Sequence, residues 1–173
     1  MRLIVLAMLF AAGVAAAADV PFNQAVEIFM RAQQGQEKEI EPAVAAFDAL
    51  ARAEPRNPVY AAYLGSAISL KARGALMPWN KLKYAEEGLD HLDRALAALK
   101  PEHDGALLRG VPMGIEARLT AANTFLRLPD VIFHRRGQGK KLVAELLKHP
   151  ALPGAPAGIR AAVDAAAAEA ARP

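Results

Sequence analysis

Apolar positions recur at helical spacing through the middle of this chain. Over residues 58–73, Tyr60, Leu64, Ala67, Ile68 and Lys71 recur at helical spacing, and Gly74 stops the pattern. Over residues 84–99, Ala85, Gly88, Leu89, Leu92, Ala95, Leu96 and Leu99 make an unbroken stripe of period 3.6, closed by Pro101. These two patterns predict a pair of facing helices joined by an insert, residues 75–83, which holds the single tryptophan, Trp79. One such pair cannot bury both faces alone, so it needs a similar pair on each side.

The flanking segments supply them. Residues 22–34 place Phe22, Val26, Phe29 and Met30 on one face, and Gly35 ends that helix. A second helix over 39–53 turns Ile40, Ala43, Val44, Phe47 and Leu50 inward. Pro55 and Pro58 punctuate the following turn, where Asn57 can cap the next helix. Residues 101–105 read as a turn. A third pair follows. Residues 111–128 carry Pro112 in the first turn and Ile115, Leu119, Ala122 and Leu126 on one side. Residues 130–147 carry Val131, Ile132, Phe133, Leu142, Val143, Leu146 and Leu147, with Gly137 and Gly139 placed to split the helix. Pro150, Pro153 and Pro156 form a stiff link to an alanine-rich helix over 157–172, which is expected to cover the open end of the stack. No run is rich in Val, Ile, Thr and Tyr, so the expected class is all-α.

Certain positions carry a recognisable motif. Ala43, Phe47, Leu50 and Pro55 fall where small residues, Phe and Pro recur in the second helix of the tetratricopeptide repeat and the turn after it. Leu64-Gly65 matches the first helix's Leu-Gly pair, with Ile68 where an aromatic is usual. Gly88, Leu92, Ala95 and Pro101 match the second helix, Pro101 one residue late. The chain therefore resembles the tetratricopeptide-repeat family, whose unit is about 34 residues. The 75–83 insert departs from that family's short turn, and the third pair keeps the length but loses most of the motif. The stretches MPWNKLKYAEEGL and RGVPMGIEARLTAA are also similar to small exported bacterial repeat proteins. The resemblance implies a right-handed α-α superhelix of about three hairpins with a C-terminal capping helix. It also implies a concave groove at Val59, Ala62, Ser66, Ser69 and Leu70, fit for a helix or an extended peptide and lacking a charged clamp.

The amino terminus sets the compartment. Arg2, an apolar run over 3–14 and Ala16-Ala17-Ala18 read as a secretory signal peptide over 1–18, cleaved between Ala18 and Asp19, with an uncleaved anchor as the alternative. The remainder divides into a helical-hairpin array over 19–150 and a Pro-rich link with its helix over 151–173. No later segment is expected to span a membrane, because Asp164 and Glu169 interrupt the last apolar run. The chain has no cysteine, which excludes disulfides, thiolate chemistry and a lipid-modified cysteine anchor. A soluble periplasmic protein is therefore expected. Loss of Arg2 takes the formal charge from +3 to +2, too mild to argue for nucleic acid.

Chemistry is sparse. Ser66 and Ser69 lie inside a helix, and no serine has a Gly-x-Ser-x-Gly context. His91 follows Glu87 by four residues, with Glu86, Asp90 and Asp93 nearby, a spacing that can share a metal but has no second pair. The run Arg135-Arg136-Gly137-Gln138-Gly139-Lys140-Lys141 lacks the upstream glycine and the Ser or Thr of a phosphate loop. It reads either as a solvated bend or as a landing site for an acidic partner. Trp79, Lys81, Lys83, Arg135, Arg136, Lys140 and Lys141 are the candidate partner-binding residues. Inter-helix loops of neighbouring repeats emerge on one edge, so the 75–83 insert and the Pro129 region should meet. The expected function is an exported scaffold or adaptor for another envelope protein or peptide, with no cofactor or metal. The alternative is a small hydrolase or metal-binding protein using His91 and its acids.

Overall fold

The computed structural model describes residues 22–172; the segment read as a signal peptide lies outside them. The described chain is mostly helical, with one two-residue hairpin of strand, and the class is all-α. Helix α1 (Phe22–Gln33) turns through Gly35, at φ +99°, and a 3₁₀ turn (Glu37–Glu39) into α2 (Ile40–Ala53). Helix α3 (Pro58–Gly74) starts where expected. Pro58 occupies its first turn, and Asn57 Oδ1 accepts the Val59 N–H at 3.1 Å, satisfying one orphan donor.

Helix α4 (Pro78–Ala97) departs from the expectation. It begins at Pro78, six residues before the first residue of the expected helix, so the link shrinks to residues 75–77. The physical reason is that a first-turn proline is pre-organised for a helix and gives up no needed N–H. Trp79, Lys81 and Lys83 therefore stand on the first turns of a helix, not in a loop.

A short helix α5 (Glu102–Gly105) replaces the expected turn and leads into strands β1 (Leu107–Leu108) and β2 (Val111–Pro112). They pair antiparallel, Leu107 opposite Pro112 and Leu108 opposite Val111. Arg109 and Gly110 make the tight turn with φ of +45° and +80°, the double left-handed geometry of a type I′ hairpin. Helix α6 (Met113–Arg127) follows. The expected 130–147 helix is two: α7 (Asp130–Phe133) and α8 (Arg136–Leu147). The break falls at His134, φ +52°, rather than at the glycines. Gly139 lies within α8, and a Cβ there would meet Leu126 Cγ at 2.9 Å, so its smallness lets α8 lie close on α6. Helix α9 (Ala157–Ala171) closes the chain, packing on α8 and α6 through Val163 and Ala166.

Packing is sequential: α2 lies on α1 and α3, α4 on α3, α6 on α3, and α8 on α6. Helix α3 is enclosed by α2, α4 and α6, and so is buried on nearly every side from Pro58 to Leu70. The one-sided stripe expected for it is corrected on that ground. Helix α4 does keep its stripe, with Ala85, Gly88, Leu89, Leu92 and Ala95 buried.

The α3–α4 crossing is unusually close. A Cβ on Gly65 would stand 2.6 Å from the Gly88 carbonyl oxygen, and one on Gly88 would stand 2.5 Å from the Gly65 carbonyl oxygen. Both obstacles are backbone and cannot swing away. Gly88→Ala should therefore force the helices apart and cost about 1–3 kcal/mol. Urea unfolding measures this, and an unchanged midpoint would show that the crossing has room.

Candidate functional site

Where α3, α4, α6 and α7 meet, they leave a half-open cleft of about 410 Å³. The sequence places small or hydroxyl side chains deep inside it: Ser66 and Ser69 from α3, Ala85 from α4 and Thr124 from α6 are all buried. Its walls are Leu70, Pro78 and Leu82 on one side and Leu128, Ile132 and Phe133 on the other. The floor hydroxyls are already engaged. Ser66 and Thr124 share a hydrogen bond at 2.6 Å, and the Ser69 hydroxyl donates to the Gly65 carbonyl at 3.0 Å. The Thr124 hydroxyl also lies 3.1 Å from the Thr120 carbonyl.

The rim is cationic. Arg73, Lys81 and Arg127 line the mouth, and no carboxylate lines the cleft. Arg73 donates to the carbonyls of Gln33 at 3.1 Å and Ala32 at 3.5 Å, closing the end of α1. Its pKa is lowered, first by partial burial and then by the like charge of Arg127. Arg127 and Lys81 have no ion-pair partner among the described residues. The flanking acid Asp130 is turned away, accepting the Arg136 N–H at 2.8 Å.

The residues singled out from sequence separate into three groups. Ser66, Ser69, Leu70 and Lys81 line the cleft; Val59 and Ala62 do not, being fully buried against the core. Of the 75–83 stretch, Pro78, Lys81 and Leu82, which belong to α4, line one wall of the cleft, and Pro129, Ile132 and Phe133 line the other; residues 75–77 do not line it. Arg135 and Arg136 are not free. Arg135 grips Asp93 with two hydrogen bonds at 3.0 and 2.6 Å and lies over the Phe125 ring. Arg136 donates to the carbonyls of Leu126, Glu169 and Arg172, tying the ends of α6 and α9 to α8. Lys140 and Lys141 are exposed on α8 and Lys83 on α4, all outside the cleft lining. Trp79 is 67 % exposed on α4 and is not among the residues that line the cleft.

Sequence reasoning missed Arg73, Arg127, Leu82 and Ile132. The signal lay in Leu82, Val131 and Ile132, which no single helix could bury together with the rest of its stripe. It also missed the buried cluster on α6, where Glu116, only 1 % exposed, accepts from the Tyr63 hydroxyl at 2.8 Å and from Arg109 at 2.5 Å.

His91 is half-buried beside a second hollow, of about 310 Å³, lined by Asn57, Arg56 and Arg94. Burial, then Arg94, lower its pKa against the opposing pull of Glu87, Asp48 and Asp90. Among the described residues no three His, Asp or Glu side chains converge to hold a metal ion, and no helix is long and apolar enough to cross a membrane. No protein-family model, no curated protein and no solved structure matches the chain.

Proposed function

We propose that this chain is an exported, periplasmic scaffold of tetratricopeptide-like hairpins, wound as a right-handed α-α superhelix, that docks another protein of the cell envelope. Three features support the repeat reading: sequential packing of the pairs α1–α2, α3–α4 and α6–α8, a terminal helix lying over the last pair, and the motif residues Gly65, Gly88 and Leu92 at the closest contacts. The observation that carries the docking reading is the exposed ridge at the α3–α4 corner. Leu76 is 90 % exposed, and beside it in sequence Trp79 is largely open to solvent and Met77 nearly half so. Large apolar side chains grouped on a surface mark contact sites, and Trp is favoured at their centres. Lys81 and Lys83, two and four residues past Trp79 on α4, have no ion-pair partner among the described residues. Charge complementarity then assigns the partner a short apolar segment bordered by carboxylates.

A photoreactive phenylalanine in place of Trp79, activated in living cells, should give one discrete adduct in the periplasmic fraction. The same probe at Asp164, exposed on α9, should give none. Lys81→Glu with Lys83→Glu should abolish the adduct at position 79. Equal adducts at both positions, or an adduct indifferent to charge reversal, would refute the docking surface. Recovery only from the cytosol would refute export.

A further inference from the structure

The cleft beside that ridge has a chemistry of its own. Its walls are aliphatic and aromatic. Its floor hydroxyls are satisfied by one another and by backbone carbonyls, so nothing at the bottom asks for a polar group. Its cations are all exposed, at the mouth, with no acid lining the cleft to answer them. Polarity thus rises from floor to rim, and the sign at the rim is positive. A ligand that matches has an apolar body, no hydrogen-bonding groups along that body, and one anionic end.

We propose that the cleft binds a single-chain carboxylate amphiphile, its chain between Leu82 and the Ile132–Phe133 wall and its head at Arg127 and Lys81. The proposal does not rest on the scaffold reading. Volume limits the occupant. Small-ligand sites run from about 300 to 1,000 Å³, and 410 Å³ lies near the lower end, room for one chain rather than two. The floor argues against a peptide backbone, whose N–H and C=O groups would be buried with no free partners, at a cost an acyl chain avoids. The head is assigned to Arg127 because Arg73 already commits donors to the end of α1. Arg127 keeps its whole planar fork, which matches a carboxylate's two oxygens. A carboxylate there would also relieve the like-charge opposition between Arg127 and Arg73. The amino-terminal segment of this chain does not answer the mouth by charge, since residues 1–18 carry Arg2 and no acid.

Calorimetric titration of the purified protein with dodecanoate, kept below its micellar concentration, tests this. The expected result is saturable one-to-one binding, about tenfold or more tighter than binding of dodecyltrimethylammonium, which has the same chain and the opposite head. Arg127→Glu should weaken dodecanoate about tenfold while leaving the thermal midpoint unchanged or raised, because that side chain has no ion-pair partner and opposes Arg73. Leu82→Glu, at a half-exposed wall position, should weaken it through the chain instead of the head, with the fold checked by circular dichroism. No saturable heat with dodecanoate would overturn the proposal. So would equal affinity for the cationic amphiphile, since that is apolar adsorption alone, or binding that neither variant weakens. An acidic apolar peptide that binds where dodecanoate does not would likewise overturn it and give the cleft to the protein partner. Dodecanoate binding with no cross-link at position 79 would leave this site standing and sink only the scaffold reading.

Discussion

Phe47→Ala should cost about 3–5 kcal/mol, the range for deleting a fully buried aromatic side chain. Phe47 is fully buried and is the hub of an aromatic cluster drawn from three helices. Its ring stacks on Tyr63 of α3 at 4.8 Å between centroids and meets Phe22 and Phe29 of α1 edge-on at 6.2 and 6.0 Å. Such pairs add to the area term, because the positive edge of one ring lies on the negative face of another. Alanine would remove all three contacts and leave a void that its helical neighbours cannot collapse into. For a domain of this size the thermal midpoint should fall on the order of 10 °C. Phe47→Leu keeps most of the volume and should cost markedly less, so the ratio of the two losses separates cavity from ring-specific contact. A Phe47→Ala protein that melts with the wild type would show that α1, α2 and α3 do not share this core.

That cluster was legible in advance because Phe22, Phe29 and Phe47 sit at helical spacing within their own segments, and local periodicity survives folding. Leu92 was legible for the same reason and is fully buried. The start of α4 was not, because a proline reads as a break until its place in the first turn is known, and that place depends on where residues 75–77 reverse the chain. The complete enclosure of α3 is a property of its neighbours α2, α4 and α6 and leaves little amphipathic trace. Arg135 and Arg136 show the limit from the charged side. A basic run on paper cannot reveal that Asp93, forty-two residues earlier, takes one guanidinium and that the carbonyl ends of α6 and α9 take the other. Part of the cleft was within reach through Ser66, Ser69, Leu70 and Lys81. The two arginines of its rim were not, because Arg73 and Arg127 lie far apart in sequence on separate helices.

Arg109→Asn sets two effects of opposite sign against each other. Arg109 occupies the first left-handed position of the β1–β2 turn, where a long side chain is disfavoured and Asn before Gly is the preferred pair. On the turn alone, the substitution should stabilise. Yet Arg109 also delivers its guanidinium to Glu116, a buried carboxylate whose other oxygen, Oε2, has no hydrogen-bond partner among the described residues. Removing the cation leaves a buried charge held only by the Tyr63 hydroxyl, and breaking such a pair costs about 3–5 kcal/mol. Because Arg109 is partly exposed, a net loss of roughly 2–4 kcal/mol is expected after the gain in the turn. Adding Glu116→Leu should recover much of it by removing the stranded charge. A neutral or stabilised Arg109→Asn protein would show that the pair behaves as a surface contact. Tyr63 provides an independent reading of the same cluster. Its pKa is raised above the ordinary 10.0, first by burial, then by the charge of Glu116 and the hydrogen bond to it. The fold therefore favours the neutral phenol. That contribution is complete below pH 10 and declines as pH rises above it, where the unfolded chain gains a tyrosinate that the folded chain refuses. Stability should fall between pH 9 and about 11 in the wild type, and fall less in Tyr63→Phe, which has no proton to lose there. Equal slopes in the two proteins would mean that Tyr63 ionises freely in the fold and that the cluster is open to water.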